Sequence, residues 1–253
     1  MKSDAARFFG HGLPYKKIGE LKGSLIVIEG TDGVGRSTQT ELLKPWLELE
    51  GYGVTSTGLT RSLLLAETID EAKRGHELNV LTFSLLYAAD FADRLENEII
   101  PALQAGFVVI ADRYMYTAFA RNDVMGADPG WSRTLFGFGL VPDLVLYLKI
   151  DVQSLIPRVL GGKGMDYWES GMHLALGSDI FESFRNYQTR LIREYNALAR
   201  EFCFVTIDAR QPVEVIQAVI RQRVGRLLQA RKRRGRTDGV EGPAERDAAA
   251  EPR

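Results

Sequence analysis

The sequence predicts a three-layer α/β fold, in which helices cover both faces of a parallel sheet. Short runs of β-branched and other apolar residues occur at 24–28, 107–110, 144–148 and 202–207, with a weaker run at 53–57. Continuous runs of this length are typical of strands that are buried on both faces. Helical patterns separate the runs, and this alternation is typical of βαβ units in a parallel sheet. Of the 253 residues, 45% are hydrophobic and 26% are charged, which is the composition of a globular domain with a substantial core.

The segments between the predicted strands carry apolar residues at helical spacing. Residues 79–104, 179–200 and 212–230 place apolar side chains three and four positions apart, which predicts amphipathic helices. Pro45 and Pro101 lie within helical patterns. Because proline lacks the amide hydrogen that a helix interior needs, both are expected to kink their helices or to end them early.

The two ends of the chain differ in composition from its middle. Residues 1–22 contain enough apolar side chains to pack, and we expect an N-terminal arm that lies on the main domain, which spans 23–230. Residues 231–236 are basic, and 237–253 contain no large apolar residue. Such a segment buries too little surface to offset its ordering entropy, so 231–253 is expected to be a disordered tail.

The charge balance and the cysteine content argue against several classes of protein. Lys and Arg number 32 and Asp and Glu number 33, and this net charge of −1 argues against a dedicated nucleic-acid-binding protein. The one cysteine, Cys203, excludes an internal disulfide framework and fits a reducing compartment. No apolar run approaches the roughly 20 residues of a membrane span, and the first residues lack the apolar core of a signal peptide. We therefore expect a cytoplasmic protein without membrane or nucleic-acid partners.

A glycine-rich segment after the first predicted strand matches a phosphate-binding pattern. The pattern is G-x-x-x-x-G-K-[ST], and residues 30–38 match every fixed position except the lysine, which is Arg36. The glycines let successive amides point at phosphate oxygens, and the following helix adds a positive dipole end. The hydroxyl of Ser37 would ligate Mg²⁺. The alternative is a glycine-rich turn without a ligand. The residues predicted to hold nucleotide phosphates are Gly30, Thr31, Asp32, Gly33, Val34, Gly35, Arg36, Ser37 and Thr38.

Arg36 is the main departure from this pattern. Lysine places a compact charge between phosphates, whereas the arginine side chain is larger, planar and bidentate. Phosphate binding should therefore survive the exchange better than catalysis, which depends on where the charge lies as the phosphoryl group moves. We expect Arg36→Lys to be tolerated, unless neighbouring groups need the extra donors of the guanidinium.

Further motifs, taken together with the loop, resemble those of a known family. They are Asp112-Arg113-Tyr114 after the third strand, and the segments 142–144, 166–169 and 205–209. From about residue 23 to about residue 215, the sequence resembles the thymidylate kinases, which are nucleoside monophosphate kinases. The resemblance implies a P-loop kinase fold with a short lid at about 161–178, nucleotide substrates and a homodimer. It also implies that ATP phosphorylates dTMP to dTDP with Mg²⁺ as cofactor.

The resemblance implies roles for individual residues. Asp112 would hold Mg²⁺ together with Ser37, and Arg113 would grip the acceptor phosphate through its bidentate fork. Arg61 matches a second arginine for the acceptor phosphate, and Asp32 matches the loop acid that faces the acceptor sugar. Either Arg158 or Lys163 could close on the transferring phosphoryl group. The residues predicted to act in catalysis are Arg36, Asp112, Arg113 and Arg158.

Two positions for acceptor binding depart from the family pattern. The arginine that recognises the base falls on Phe91, and the nearest arginine is Arg94, whose alternative role is an ion pair with Asp90 one helical turn away. Thr117 stands for a serine of the family pattern, and Arg121 replaces the tyrosine that helps to read the deoxyribose. The residues predicted to bind the acceptor are Asp32, Arg61, Phe91, Arg94, Arg113, Thr117 and Arg121. The phosphate-binding residues are therefore better supported than the base-binding residues. A kinase for another phosphorylated acceptor and a nucleotide-binding regulator with little turnover are the alternatives.

Overall fold

A parallel sheet forms the middle layer of the structure. The computed structural model describes residues 7–75 and 78–238, and within these ranges five strands form one sheet. The strands are β1 (Ser24–Glu29), β2 (Val54–Gly58), β3 (Val108–Asp112), β4 (Leu144–Lys149) and β5 (Val205–Asp208). Their order across the sheet is β2-β3-β1-β4-β5, and all neighbours pair in parallel. The predicted α/β class and parallel sheet are confirmed.

The central strand β1 determines where the loops meet. All six of its residues are buried, and it pairs with β3 on one side and with β4 on the other. Ile28 on β1 and Gly58 on β2 are both in register with Asp112 on β3. The loops that follow these three strands therefore leave the sheet at the same edge.

Helices cover both faces of this sheet, which makes the three predicted layers. One buried apolar cluster lies between the sheet and three helices, α3 (Val80–Arg94), α5 (Met115–Val124) and α8 (Ile180–Glu201). Another lies between the sheet and α1 (Arg36–Leu49), α7 (Val152–Leu160) and α9 (Val213–Asp238). No helix in the described part of the chain has both the length and the apolar character needed to cross a membrane. The helices are α1 (Arg36–Leu49), α2 (Ala66–Arg74), α3 (Val80–Arg94), α4 (Ile100–Gln104), α5 (Met115–Val124), α6 (Pro129–Leu135), α7 (Val152–Leu160), α8 (Ile180–Glu201) and α9 (Val213–Asp238).

The two prolines within helical patterns behave differently. A π-helical turn, Leu95–Ile99, joins α3 to α4, so that Pro101 lies in the first turn of α4. There its missing amide hydrogen is tolerated. Helix α1 continues past Pro45 to Leu49, so the expected early end at Pro45 is wrong. The buried side chains of Leu43 and Leu47 hold this last turn of α1 against the core.

The N-terminal segment lies on the domain over the residues that are described. Phe8 forms an isolated antiparallel bridge with Leu140. The ring of Phe9 lies 5.4 Å from the ring of Phe119 and 5.7 Å from that of Phe202. Residues 1–6 of the predicted arm lie outside the described residues.

The C-terminal helix is longer than expected. Helix α9 runs to Asp238, so the expectation of disorder is wrong for 231–238. Arg231 forms an ion pair with Asp143 at 3.1 Å, and the ammonium of Lys232 lies 4.5 Å from the centre of the Tyr52 ring. Arg231 and Lys232 therefore have partners on the domain. The rest of the predicted tail, 239–253, lies outside the described residues.

The segment between α7 and α8 corresponds to the predicted lid. It consists of turns and a short 3₁₀ helix, Met172–Leu174. Trp168 in this segment is buried, and its indole N–H donates to the carbonyl oxygen of Lys73 at 2.8 Å. The imidazole of His173 packs 4.5 Å from the Trp168 ring.

Candidate active site

The glycine-rich loop connects β1 to α1 through a sharp turn. Gly30, Gly33 and Gly35 adopt φ values of 147°, 75° and 100°, which residues with a Cβ atom rarely adopt. A Cβ atom on Gly33 would also lie 2.6 Å from Cγ2 of Val159 on α7. Helix α1 begins at Arg36, so its first amides lie at the loop. This backbone geometry can bind phosphate.

Arg36 lies across the loop and is almost fully buried. Its Nε atom donates to Oδ1 of Asp112 at 2.8 Å. Its Nη1 atom donates to the carbonyl oxygen of Gly30 at 2.6 Å and to that of Thr31. The fork of the guanidinium thus reaches a carboxylate on one side and two backbone carbonyls on the other. The smaller ammonium of lysine lacks this fixed, divergent set of donors.

Asp112 and Ser37 provide oxygen atoms that fit Mg²⁺. The hydroxyl of Ser37 donates to Oδ2 of Asp112 at 2.9 Å, and the guanidinium of Arg61 lies 3.6 Å from the same oxygen. Among the described residues, no group of three or more His, Cys, Asp or Glu side chains could hold a metal ion by itself. Mg²⁺ usually takes only one or two protein oxygens and completes its shell with phosphate oxygens and water. The Ser37–Asp112 pair therefore fits a magnesium ion that arrives with a nucleotide.

The carboxylate of Asp32 in the loop forms ion pairs with three guanidinium groups. Nη2 of Arg113 donates to its Oδ1, Nη2 of Arg121 donates to Oδ2 at 3.2 Å, and Nη2 of Arg36 lies 3.7 Å away. Nη1 of Arg121 also donates to the hydroxyl of Tyr87 at 3.3 Å. Burial lowers the pKa of the Arg113 guanidinium, and the neighbouring Arg121 cation lowers that pKa further. One carboxylate is shared among three cations, so this site is suited to bind a further anion.

The segment after β3 is held to the end of β1 by two successive amides. Arg113 has a φ of 73°, which is uncommon for a residue other than glycine. Its amide donates to the carbonyl oxygen of Ile28 at 3.0 Å, and the amide of Tyr114 donates to Oε1 of Glu29 at 3.0 Å. No role for Glu29 follows from the sequence motifs. A charged residue at the end of an apolar strand is nevertheless a signal of a buried polar contact, because such residues are rarely buried without partners.

The predicted base-binding residues lie in the core instead. Phe91 is fully buried, and its ring lies 4.8 Å from that of Tyr114 and 5.5 Å from that of Phe138. Arg94 is also fully buried, its Nε donates to Asp90 at 3.0 Å, and its guanidinium lies over the Phe91 ring. The structure therefore contradicts the expectation that Phe91 or Arg94 faces the acceptor, because neither presents a surface to a ligand. The alternative, an ion pair between Arg94 and Asp90, is the one observed.

The structure also contradicts the prediction that Thr117 binds the acceptor. It is fully buried, and its hydroxyl donates to Oε2 of Glu29 at 2.7 Å. The hydroxyl of Tyr195 lies 2.8 Å from the Thr117 hydroxyl. Thr117 therefore belongs to a hydrogen-bond network behind the site, and it does not face an acceptor.

Arg158 belongs to the helix that borders the glycine-rich loop, but no described ion pair joins it to the arginine cluster formed by Arg36, Arg61, Arg113 and Arg121. It is exposed in the last turn of α7, next to Val159, whose side chain borders Gly33. Lys163, in the turn that follows, is exposed as well. Both cations lie in or just after α7, whose Val159 borders the loop, and the described contacts do not favour one over the other.

Comparisons with known proteins agree with the motifs. A family model described as thymidylate kinase matches residues 28–220. The chain is 37% identical over 210 residues to a probable thymidylate kinase 2 of Saccharolobus solfataricus, covering 82% of this chain and 98% of the relative. It is 35% identical over 218 residues to a thymidylate kinase of Clavibacter michiganensis, covering 83% and 98%. A probable thymidylate kinase of Thermococcus gammatolerans is 40% identical over 152 residues, covering 55% and 71%.

Proposed function

We propose roles for the site residues of this chain, which belongs to the thymidylate kinase family and is a phosphotransferase that phosphorylates dTMP to dTDP with ATP. The observation that carries the proposal is the meeting of the glycine-rich loop, the Ser37–Asp112 pair and the arginine cluster at one edge of the sheet. Phosphoryl transfer depends on positioning and on charge neutralisation more than on covalent chemistry. These residues can supply both.

The loop and α1 bind the donor. Backbone amides of residues 30–38 and the N-terminus of α1 hold the phosphates of ATP. Ser37 and Asp112 hold Mg²⁺, which when bound supplies positive charge to the donor phosphates. Arg36 exchanges part of its contacts with Gly30, Thr31 and Asp112 for phosphate oxygens.

The arginines bind the acceptor and the transferring group. Among the described residues, Arg36, Arg61, Arg113 and Arg121 surround Asp32 and Asp112, which leaves two positive charges in excess. A phosphate monoester forms strong bidentate contacts with arginine. Arg113 and Arg121 therefore turn from Asp32 to the acceptor phosphate, and Asp32 is left to face the acceptor sugar. Either Arg158 in α7 or Lys163 in the turn that follows would close on the transferring phosphoryl group.

Steady-state kinetics test the proposal. ADP formation from ATP is measured with dTMP, dUMP, dCMP and dGMP, in the wild type and in Arg113→Gln. We expect dTMP-dependent ADP formation that falls by about 10²-fold or more in the variant, because a group that positions the reacting phosphate is lost. The control is Arg193→Gln on α8, whose exposed side chain forms its described ion pair with the adjacent Glu194 and lies in no predicted site. ATP binding without ADP formation on any acceptor would show a regulator instead.

We also propose that the chain acts in the cytoplasm as a homodimer. The family resemblance supports both statements, and Leu63, Leu64, Leu81 and Leu85 are large apolar side chains exposed before α2 and on α3. Exposed apolar surface of this kind is often covered by a partner. Light scattering after size exclusion should give twice the 28.2 kDa of one chain. A mass of one chain at micromolar concentration would contradict the dimer.

A further inference from the structure

We propose that Glu29 is a positioning residue that holds Arg113 in place for the acceptor phosphate. The proposal rests on the role given above to Arg113. Glu29 is the last residue of β1, immediately before the phosphate-binding loop, and it is fully buried. It touches neither the loop arginine nor the Ser37–Asp112 pair by hydrogen bond, so its effect on the reaction must pass through other residues.

Three donors from two helices and a loop converge on the Glu29 carboxylate. Its Oε1 accepts from the amide of Tyr114 at 3.0 Å, and its Oε2 accepts from the Thr117 hydroxyl at 2.7 Å. The hydroxyl of Tyr195 on α8 lies 3.4 Å from Oε2 and 2.8 Å from the Thr117 hydroxyl. An ionised carboxylate accepts hydrogen bonds and donates none, so each of these donors matches it.

The hydrogen bond from the Tyr114 amide to Glu29 stabilises an unfavourable backbone conformation at Arg113. Arg113 adopts a left-handed conformation, which persists only where surrounding contacts impose it. The amide of Arg113 is held by the carbonyl of Ile28, whatever side chains are present. The amide of Tyr114 is held by the Glu29 side chain. Glu29 is therefore the side chain that secures the far end of the strained residue, and through it the direction of the Arg113 guanidinium.

The charge of Glu29 adds to this effect. Burial raises its pKa, whereas the Thr117 hydrogen bond and the Arg113 and Arg36 cations act in the opposite direction. A carboxylate behind the arginine cluster is separated from water, so its field on Arg113 is weakly screened. The ionised form both accepts the Tyr114 amide and attracts the Arg113 cation.

The effect should be selective for the acceptor. The loop that holds ATP owes its shape to its glycines, and none of the described hydrogen bonds joins Glu29 to Ser37 or Asp112. In Glu29→Gln the amide oxygen can still accept from Tyr114, but the charge is lost and an NH₂ group faces Thr117. We expect kcat/KM for dTMP to fall about 10²-fold, because Arg113 is displaced. The affinity for a non-hydrolysable ATP analogue should stay within twofold.

The test uses Glu29→Gln, Thr117→Val and Thr117→Ser, with Tyr147→Phe as the control. The hydroxyl of Tyr147 has no hydrogen-bond partner in the described structure, although its residue pairs with Glu29 in the sheet. The measurements are kcat and KM for dTMP, calorimetric affinities for dTMP and for the ATP analogue, and the melting temperature. Thr117→Val should lose dTMP affinity in the same direction as Glu29→Gln, and Thr117→Ser should recover most of it because the donor is kept.

Two results would overturn the proposal. Wild-type kcat and KM for dTMP in Glu29→Gln would show that Arg113 needs no such support. Equal losses of affinity for dTMP and for the ATP analogue, in proportion to the melting temperature, would show that Glu29 serves only the stability of the fold. Absence of dTMP turnover in the wild type would instead contradict the proposed function, and the calorimetric dTMP affinities would still decide the role of Glu29.

Discussion

At the scale of single residues, the guanidinium of Arg36 has more protein partners than a lysine could have. It bonds Asp112 on one side and the carbonyls of Gly30 and Thr31 on the other. The expectation that Arg36→Lys is tolerated assumed that only the charge matters. The observed contacts favour the alternative, in which the loop requires the several N–H donors of a guanidinium. A lysine at this position would leave some of the buried acceptors without donors.

We therefore predict different effects for two substitutions at Arg36. Arg36→Ala should weaken ATP binding by about 1.5–3 kcal/mol, which is the contribution of a charge-assisted hydrogen bond. Arg36→Lys should bind ATP more tightly than Arg36→Ala but turn over more slowly than the wild type. Calorimetry with an ATP analogue and steady-state kinetics measure both. Unchanged ATP affinity in Arg36→Ala would mean that this side chain contacts no phosphate.

Arg121 allows a test of the acceptor side. It bonds both Asp32 and Tyr87, and its side chain is 13% exposed. We predict that Arg121→Gln raises the KM for dTMP about tenfold and leaves ATP-analogue affinity within twofold, because one charge-assisted contact to the acceptor is lost. Arg193→Gln serves as the matched control. A loss confined to ATP affinity would place Arg121 on the donor side.

At the scale of elements, the C-terminal helix is anchored by its basic end. Arg231 contributes an ion pair with Asp143 and a hydrogen bond to the carbonyl of Leu21, and Lys232 lies over Tyr52. An exposed ion pair and an exposed cation–π contact each stabilise by at most about 1 kcal/mol. Arg231 near the end of α9 thus binds the segment before β1, at Leu21, and the segment before β4, at Asp143.

Two truncations separate the anchored part from the rest. Deletion of 239–253 should leave the melting temperature unchanged, because this segment contains no large apolar side chain that could pack on the domain. Deletion of 231–253 should lower the melting temperature by roughly 2–4 °C, since about 1 kcal/mol is lost from a domain of this size. Scanning calorimetry of both proteins measures the difference. Equal melting temperatures would show that the basic end of α9 contributes nothing to stability.

At the scale of the whole molecule, the layers and the sheet could be predicted because they follow from short-range patterns. The apolar runs predict the first and last residues of the strands to within a few positions. β5 begins only at Val205, because Cys203 takes a left-handed conformation that ends the turn after α8. Phe202 and Phe204 then pack against Tyr116 rather than extend the strand.

The side chains of the site could be predicted only in part, because their directions depend on distant elements. The loop pattern identifies Arg36 but not its bond to Asp112, which lies 76 positions away. Phe91 and Arg94 are predicted from their positions in a motif, and those positions do not show that Phe91 packs against Tyr114 or that Arg94 pairs with Asp90 of the same helix. The position of Glu29 at the end of an apolar strand does not reveal its partners, because its three donors come from residues 85 to 166 positions further on.

The order of the strands has a consequence for synthesis on the ribosome. β1 leaves the ribosome first, yet its neighbours are β3 and β4, and Ser24 is in register with Val108. At about 5–20 residues per second, the apolar residues of β1 wait roughly 4–17 s for the first of these partners. During that time a strand with two unpaired edges is exposed to other chains. Newly made chains should therefore depend on chaperones until β3 emerges, and ribosome-bound chains that stop before residue 108 should be bound by chaperones more strongly than chains that extend beyond β4.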